Sequence, residues 1–482
     1  MYNSIQYFNK FGVKNIEKMI KSFIKEKKDI ADLVFGLQEN LFELGRNIII
    51  EVLEDMDKTL RESAVRKKNW EIVRKDKTGI LTSFGTIRYN RTYFKPKKGG
   101  KRKYLLDEIV GIDAHDRIST DVIINAVEEA TDSSYRKGGE RASYVEEISK
   151  QAVMNKIHKI EGKELELKIK KKRKAAILYI EADEDHVALQ SSTNKDINKT
   201  TIDGRKKHNT IMPKLVYVHE GIDWEKSSKK RKVLKNVRYF GGVIDSEELW
   251  LKVADYIDKQ YEEEGIETIY LLGDGASWIH QGVKWINKSK FVLDNYHLNK
   301  YIKVATAHLE DKEIYQELKD ALDWPDKEEL KKVFKKILSL TETKTKKAVV
   351  KDARRYMLNN WDGIEIKAEK GHEIIGCSVE GHVSHVFSQR LSSRPKGWSK
   401  LGVSQMSKLI IYKKNGGKIY DLVMAQKMKE RQEEKIREQE ELMNSLRKTA
   451  AGKYNNTFNS NVTVINKGNK TGLYKELRHL IG

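Results

Sequence analysis

The stretch "YLLGDGASWI", residues 270–279, begins as an apolar strand and ends on a carboxylate, Asp274, that stands between two glycines. One interpretation is a cradle for phosphate, because glycine lets backbone N–H groups approach an anion closely. A phosphate-binding loop also requires Gly-Lys-Ser/Thr after its glycines, and the sequence contains no such run. Asp274 itself is therefore the functional candidate, and a cation is its natural partner.

The composition indicates a polyanionic partner and a reducing compartment. The 482 residues include 93 Lys and Arg against 71 Asp and Glu, a formal charge of +22. So much positive charge repels itself unless a polyanion answers it, and nucleic acid is the polyanion that we expect. One cysteine, Cys377, excludes an internal disulfide framework. No apolar run approaches the roughly 20 residues of a membrane span, and the N-terminus lacks a signal-peptide apolar region, so we expect a cytoplasmic protein with no membrane partner.

Beyond residue 174 the order of strands and helices predicts the fold of a core. Five apolar runs predict strands at residues 176–182, 214–219, 237–243, 267–272 and 290–293. A helix from residue 246 to about residue 264 separates the third strand from the fourth. This order fits the ribonuclease-H-like topology, in which an antiparallel meander of three strands precedes strands that pair in parallel through helices. In that topology the first strand and the end of the fourth lie side by side, so an acid on each can share one metal ion.

The acids occur where that topology requires them. Asp183 ends the apolar run of the first strand, in "AILYIEADEDHVALQ", and Asp274 ends the fourth. Glu380 lies in the first turn of a helix with an apolar face and would be the third acid. Glu181, Asp183 and Asp185 alternate onto the same strand face, so the period of the strand does not choose among them.

The first 165 residues predict helices, a small β element and a DNA-binding helix. The segment "FGTIRYNRTYFK" has the alternation of a strand, and the glycines of "RKGG", residues 136–139, predict the end of a helix before a second short helix near residues 144–148. Ser149 is a good N-cap for the helix that follows. Its outward positions carry side chains that can read base edges or phosphates: Lys150, Gln151 and Asn155. The alternative is an ordinary helical subdomain.

Most of the chain resembles the bacterial insertion-sequence transposases of the DDE class, and is closest to the ISLre-type group, long catalogued as uncharacterised proteins. The most specific motifs are "IEADEDHV", "GDGASWI" and "EGHVSHVFSQRLSSRPKGW". Related transposases with a helical insertion also carry an acid or Cys, two residues and then His after the second catalytic Asp. Asp294 and His297 in "VLDNYHLNK" match that pattern at the start of the insertion.

The resemblance implies a mechanism and a set of partners. It assigns Asp183, Asp274 and Glu380 as the catalytic, metal-binding triad, with Asp185 as the alternative to Asp183, and it implies two Mg²⁺ ions, which Mn²⁺ could replace. It implies double-stranded DNA as partner, both the element's ends and the target, and action as a homo-oligomer. We also expect Arg390 and Arg394 to contact the DNA backbone, although pairing with surface acids is the alternative.

The expected architecture is an α+β and α/β multidomain protein with a ribonuclease-H-like catalytic core that an all-helical insertion interrupts. An N-terminal helical and β region and a helix-turn-helix precede the core. The boundaries fall at residues 1–75 (helical), 76–115 (small β element), 116–165 (helix-turn-helix), 174–294 (core, first part), 295–372 (insertion), 373–412 (last core helix) and 413–482 (charged helix and loose tail).

Other interpretations stay open at this point. A structure-specific nuclease of the same fold would cut DNA without joining it, and a domesticated descendant would only bind DNA. Four possible zinc ligands occur within 14 residues, although their spacing matches no zinc motif: His372, Cys377, His382 and His385. The basic runs at residues 168–174 and 227–235 are most simply solvated linkers or loops, with phosphate contact as the alternative.

Overall fold

The computed structural model describes residues 3–26, 28–165, 171–190, 209–394 and 396–459. The chain forms two compact units, each built from separate segments. The first comprises Met1–Ile48, Gly79–Ile87 and Asp116–Val423, and the second comprises Ile49–Thr78, Arg88–His115 and Met424–Gly482.

The N-terminal residues are helical, as the spacing of their apolar residues predicts. A π-helical turn, Phe8–Gly12, separates the first two helices. The helices are α1 (Asn3–Tyr7), α2 (Val13–Lys25), α3 (Ile30–Glu62) and α4 (Ala64–Asn69).

A three-stranded sheet and a short helix follow: β1 (Trp70–Thr82), β2 (Gly85–Pro96), β3 (Lys103–Tyr104) and α5 (Leu105–Val110). The first strand begins at Trp70, before the boundary at residue 76 that the sequence suggested. Lys97 donates its backbone N–H to the carbonyl of Asn69 at 2.9 Å, so backbone pairing extends back to this point. The charged residues at the start of the strand give no apolar pattern from which the sequence could predict it. In the second unit Asp57, 1% exposed, accepts hydrogen bonds from the backbone N–H and the hydroxyl of Thr92 at 2.8 and 2.7 Å.

Three helices occupy the segment that the sequence assigned to a helix-turn-helix: α6 (Thr120–Asp132), α7 (Tyr135–Glu140) and α8 (Lys150–Lys159). The prediction of the second helix near residues 144–148 is wrong, because the "RKGG" segment lies inside α7 and does not end α6. A Cβ atom on Gly138 would lie 2.6 Å from the carbonyl oxygen of Ala126, and one on Gly139 would lie 2.1 Å from that of Ile148. These glycines allow close packing between segments and are not helix stops.

A five-stranded mixed sheet forms the centre of the first unit, with strand order β10-β9-β4-β7-β8. Its strands are β4 (Ile177–Glu184), β7 (Lys214–His219), β8 (Arg238–Gly242), β9 (Thr268–Gly273) and β10 (Ser289–Leu293), and two short strands, β5 (Val187–Ala188) and β6 (Thr210–Ile211), pair beside it. The strand β4 pairs in parallel with β9 and antiparallel with β7, and β7 pairs antiparallel with β8. The first and fourth core strands are therefore neighbours, as the predicted order requires.

Helices cover one face of this sheet: α9 (Ser246–Gln260), α10 (Ser277–His280) and α11 (Gly282–Trp285). Leu178 and Ile180 of β4 are fully buried and belong to the same apolar cluster as Trp250 of α9. Because successive side chains alternate between faces, Glu181 and Asp183 lie on the other face of β4.

The inserted region is helical throughout its elements, as predicted. It consists of α12 (Asn295–Thr306), α13 (Glu313–Asp323), α14 (Lys327–Leu340), α15 (Lys344–Asn359) and α16 (Trp361–Lys370). The apolar side chains of α14 are buried and belong to the same cluster as the core strands: Leu330, Val333, Phe334 and Ile337. The insertion therefore shares a core with the sheet.

The chain continues through α17 (Val379–Val383), a π-helical turn (Ser384–Ser388), α18 (Gln389–Leu391), α19 (Lys400–Lys414) and α20 (Ile419–Asn459). Residues 460–482, for which the sequence predicts a loose tail, lie outside the described residues. Among the helices that the structure describes, none is long and apolar enough to cross a membrane.

Candidate functional site

The two glycines beside Asp274 let its turn fit between β4 and the insertion. A Cβ atom on Gly273 would lie 2.9 Å from the carbonyl oxygen of Ala182 in the paired strand. Gly275 has a φ of +86°, which residues other than glycine rarely adopt. A Cβ atom there would lie 2.2 Å from Oδ1 of Asn360. The glycines therefore serve close packing, and the carboxylate between them is the group left for chemistry.

A chain of hydrogen bonds from the insertion fixes that turn. The hydroxyl of Tyr356, on α15, donates to the backbone carbonyl of Asp274 at 2.5 Å. Asn360, 4% exposed, donates from Nδ2 to the carbonyl of Tyr356 at 2.9 Å, and its Oδ1 lies 2.9 Å from Nε2 of His280. Within the turn, Asp274 Oδ1 accepts the backbone N–H of Ala276 at 2.9 Å.

Asp183 lies near the end of β4, one position beyond the last residue that pairs with β9. The pKa of the Asp183 carboxyl is raised to about 7, first by burial and then by the negative charges of Asp274 and Glu380, although the backbone N–H of Glu184 opposes the rise. A neighbouring negative charge raises the pKa of a carboxyl in this way only when it lies nearby. Asp183 thus lies within electrostatic reach of Asp274 and of Glu380, the two acids that the sequence predicts to join it from distant segments.

Glu380 is the second residue of α17, and its side chain is 56% exposed. Its Oε1 lies 3.9 Å from Nε2 of His297. A π-helical turn directly follows α17, and such turns are frequent at functional sites.

His297 is a fourth group beside the three acids. Asp294, 3% exposed, begins α12 by accepting the backbone N–H of His297 at 3.0 Å, and its Oδ2 lies 2.5 Å from Nδ1 of the same residue. That hydrogen bond to Asp294 is the main reason that the pKa of His297 is raised; the charges of Asp274 and Asp183 add to it. The motif Asp294–His297 therefore holds an imidazole in place, with Nε2 toward Glu380.

The sequence did not reveal the role of Glu181, which is 1% exposed. Its carboxylate accepts hydrogen bonds from the hydroxyl of Tyr217 at 2.7 Å and from the backbone N–H of Ser378 at 2.5 Å, and it lies 3.1 Å from Nε2 of His219. Ser378 precedes α17, so this contact ties β4 to the start of the helix that carries Glu380. The only sign of this role in the sequence is that Glu181 lies two positions before Asp183, on the same strand face.

These contacts distinguish Glu181, Asp183 and Asp185, the three acids that alternate onto one face in the "EADED" segment. Burial raises the pKa of Glu181, but hydrogen bonds from His219, Tyr217 and Ser378 outweigh it, and the pKa is lowered overall. Asp185, 7% exposed, accepts the hydroxyl of Ser392 at 2.8 and 2.9 Å. The carboxylates of Glu181 and Asp185 are thus occupied by partners within the fold, which favours Asp183 over the alternative Asp185.

The predicted DNA-reading side chains of α8 are exposed, whereas Val153 and Ile157 on its other face are buried. Ser149 caps the helix by accepting the backbone N–H of Ala152 at 3.2 Å. Gln151 donates to Asn155 at 3.1 Å, so two of the three outward side chains, Lys150, Gln151 and Asn155, form a pair. Arg394 is exposed, and its contact with DNA stays a prediction.

The prediction that Arg390 contacts the DNA backbone is wrong. Arg390 is 5% exposed, donates from Nε to the carbonyl of Ala130 at 2.7 Å, and lies over the ring of Trp398 at 4.7 Å. Burial lowers the pKa of its guanidinium to about 10. The side chain fastens α18 to α6 and is not available to a phosphate.

The zinc interpretation receives no support from the contacts of its histidines. The ring of His382 stacks on that of Tyr217, and its Nδ1 lies 2.9 Å from the hydroxyl of Tyr239. In the described part of the chain, no group of three or more His, Cys, Asp and Glu side chains is arranged to hold a metal ion. The donor chemistry of Asp183, Asp274 and Glu380, three carboxylates, nevertheless fits a small hard cation such as Mg²⁺.

Two similar proteins come from Caldanaerobacter subterraneus subsp. tengcongensis. One UPF0236 protein is 39% identical over 463 residues, which cover 96% of this chain and 94% of that protein. A second is 40% identical over 468 residues, which cover 96% of this chain and 95% of that protein. The name of the first carries eleven locus designations, and that of the second carries four.

Among solved structures, the Drosophila P element transposase strand transfer complex is 12% identical over 67% of this chain and 82% of that chain, with a TM-score of 0.21. A TM-score of that size does not show a shared fold. The sequence pattern of an uncharacterised protein family matches residues 23–432. The chain therefore belongs to the uncharacterised protein family UPF0236.

Proposed function

We propose that this protein is a DDE-type DNA transposase, which cuts phosphodiester bonds at the ends of its own DNA element and joins them to a target. The observation that carries the proposal is the parallel pairing of Ala182 with Gly273, which places the next residues, Asp183 and Asp274, at the same end of neighbouring strands. Glu380 also lies within electrostatic reach of Asp183. A fold gains no stability by bringing the charges of Asp274 and Glu380 within reach of Asp183, because repulsion between carboxylates costs stability.

The topology of the sheet supports the assignment of a ribonuclease-H-like core. Three antiparallel strands in sequence, β4, β7 and β8, are followed by β9 and β10, which pair in parallel on the other side of β4. This arrangement brings Asp183 and Asp274 to the same end of neighbouring strands. The ends of neighbouring parallel strands are where active sites of such sheets are commonly built.

The acids would hold Mg²⁺, with Mn²⁺ as a substitute, and the remaining residues would position them. A cation held there would supply activation of the attacking oxygen and stabilisation of the leaving oxygen of the scissile phosphate. Asp274 is positioned by Tyr356 and Asn360, and Glu380 by the contact of Ser378 with Glu181. Asp294 fixes the tautomer of His297 through Nδ1 and leaves Nε2 facing the acids.

Two further observations support transposition in particular. The name of one relative carries eleven locus designations of one organism. Several copies in one genome are what a mobile element that copies itself would produce. The formal charge of +22 suits a protein that must bind two DNA segments, the element's end and the target.

The test is a joining assay with a labelled duplex taken from the DNA that flanks the gene, a supercoiled target plasmid and Mg²⁺. We expect the wild type to give joined product, and the variants Asp183→Asn, Asp274→Asn and Glu380→Gln to give none while they still bind the duplex. Nicked DNA without joined product would favour a nuclease, and binding without any metal-dependent cutting would favour a DNA-binding protein.

Asp185→Asn is the matched control, because it removes an acid two positions from Asp183 whose oxygens are held by Ser392. We expect this variant to keep joining activity. If Asp185→Asn loses activity and Asp183→Asn keeps it, the assignment of the first acid is wrong.

A further inference from the structure

A basic hairpin rises between β7 and β8 from a buried base. Glu220, whose side chain is 8% exposed, forms an ion pair with Arg173 at 3.2 Å and accepts the hydroxyl of Tyr261 at 3.0 Å. The same carboxylate accepts Nδ2 of Asn236 at 2.8 Å, just after the hairpin returns to the core. One buried acid thus fastens both ends of the hairpin.

Hydrogen bonds continue from this base to the tip. Lys235 donates its backbone N–H to Gly221 at 2.8 Å, Asp223 donates to Val233 at 2.7 Å, and Ser228 donates to Arg231 at 2.8 Å. The interpretation of residues 227–235 as a solvated loop is therefore incomplete, because they form the second half of an ordered hairpin. These hydrogen bonds hold the backbone of the arm in place, so the points from which its side chains extend are fixed.

The tip of this hairpin carries positive charge that the fold does not use. Residues 221–235 contain six Lys and Arg against two acids. Lys229, Lys230 and Arg231 are exposed, and within the described residues none of their side chains forms an ion pair or a hydrogen bond. Beside them Trp224 is 67% exposed, with Nζ of Lys232 lying 4.2 Å over its ring.

We propose that the hairpin of residues 221–235 binds the phosphate backbone of duplex DNA through Lys229, Lys230 and Arg231. Unpaired cations on an ordered arm gain most from a dense polyanion, because each phosphate contact also releases a condensed counterion. An exposed Trp beside them offers a flat apolar surface to the sugars. The proposal rests on the proposed function only for the identity of the polyanion.

The hairpin lies at the opposite end of the sheet from the acids. Asp183 pairs with Leu215 near the start of β7, whereas the hairpin follows His219 at the end of that strand. Gly221 lies six positions after Leu215, which corresponds to roughly 20 Å of extended chain. We therefore assign the hairpin to DNA at a distance from the scissile phosphate, where it contributes to holding the duplex and not to the chemistry.

The test compares the triple variant K229A/K230A/R231A with its parent, both carrying Asp274→Ala so that no cutting occurs. Fluorescence anisotropy with a labelled duplex of arbitrary sequence, without metal, gives affinities between about 50 and 200 mM salt. We expect binding roughly 10- to 100-fold weaker near 100 mM salt, and a slope of log K against log salt that is smaller by about 2 to 3.

The matched control is K344A/K346A/K347A, which removes the same charge from the start of α15, with an unchanged unfolding midpoint required of both variants. Equal loss of affinity in the control would overturn the proposal, because net charge alone would then explain binding. So would loss of binding to phosphatidylserine vesicles with DNA affinity unchanged.

The joining assay separates this proposal from the proposed function. If the wild type joins DNA in Mg²⁺ and the hairpin variant binds as its parent does, only the hairpin proposal fails. If the parent binds no duplex at all, both fail.

Discussion

Glu181 and Asp183 lie two positions apart on one face of β4, and the fold treats their charges in opposite ways. Hydrogen-bond donors surround Glu181 and lower its pKa, whereas burial and two neighbouring acids raise the pKa of Asp183 to about 7. The charge of Glu181 therefore stabilises the fold, whereas the charge of Asp183 destabilises it. Functional sites commonly contain such perturbed groups, because the charge serves chemistry and not stability.

Asp183→Asn should therefore make the metal-free protein more stable at pH 8. The folded-state pKa of about 7 lies above the unfolded value of about 3.9, so folding favours the protonated form and stability falls as pH rises from about 4 to 7. We expect a gain of roughly 1–3 kcal/mol in the free energy of unfolding at pH 8, which vanishes below about pH 4. Chemical denaturation at pH 8 and at pH 4 measures the difference in the free energy of unfolding. If the variant is no more stable than the wild type at pH 8, the charge of Asp183 does not destabilise the fold.

Glu181→Gln should act in the opposite direction and destabilise the protein by about 1–3 kcal/mol at pH 7, because an amide N–H₂ group would face donors. The folded-state pKa is lowered, so the stabilisation is present above the ordinary carboxyl value and is lost as pH falls through the folded-state pKa. Denaturation across pH 3 to 7 tests this. Glu264→Gln, on the surface, is the control, and equal effects of the two variants would refute the role of Glu181.

At the scale of elements, the insertion belongs to the site because α15 holds the Asp274 turn through Tyr356. Tyr356→Phe removes that hydroxyl and keeps the ring, so we expect a roughly 10-fold lower cutting rate with DNA affinity unchanged. Tyr301→Phe is the control, because the ring of Tyr301 stacks on that of Tyr356 at 3.8 Å and stays in place. A Tyr356→Phe enzyme that cuts at the wild-type rate would show that the insertion does not position Asp274.

The helix α8 is the element that we expect to read the element's end. Replacing Lys150, Gln151 and Asn155 together by Ala should weaken binding to the end duplex by roughly 10- to 100-fold, and binding to a scrambled duplex much less. Competition binding with the two duplexes measures the difference. Equal losses on both duplexes would mean that α8 contacts phosphates only and that another element reads the sequence.

The periodicity of the sequence predicted elements well where one face is buried, and poorly where glycine has two possible roles. The strand Lys214–His219 and the N-cap of α8 at Ser149 agree with the sequence. Gly138 and Gly139 were interpreted as a helix end, because a sequence does not distinguish a glycine that stops a helix from one that lets two segments touch. The prediction for Arg390 was wrong for a similar reason. The sequence alone does not distinguish an arginine that is buried over an aromatic ring from an arginine that is exposed to solvent.

At the scale of the whole molecule, the compact units are built from separate segments, whereas the sequence predicts contiguous ones. In the second unit, for example, Lys103 pairs with Glu438 at 3.1 Å. Local patterns carry no information about contacts between residues so far apart. The strands β4 and β9 were an exception, because the order of the strands predicted that these two segments are neighbours.

A divalent cation that binds only the folded protein should stabilise the whole chain. Mn²⁺ at about 100 times its dissociation constant would add roughly 2.7 kcal/mol to the free energy of unfolding, and we expect a rise of a few degrees in the thermal midpoint at pH 8. The rise should be absent from Asp183→Asn and present in Asp185→Asn. A similar rise in all three proteins would place the cation elsewhere.

The contact between Glu181 and Ser378 joins residues 197 positions apart. A ribosome adds roughly 5–20 residues per second, so about 10–40 s pass between the emergence of the first acid and that of the third. Under the proposed function, a nascent chain that has not yet been translated as far as Glu380 lacks the third carboxylate and cannot cut. Synthesis through Glu380 therefore sets the earliest moment at which each copy can attack the DNA that encodes it.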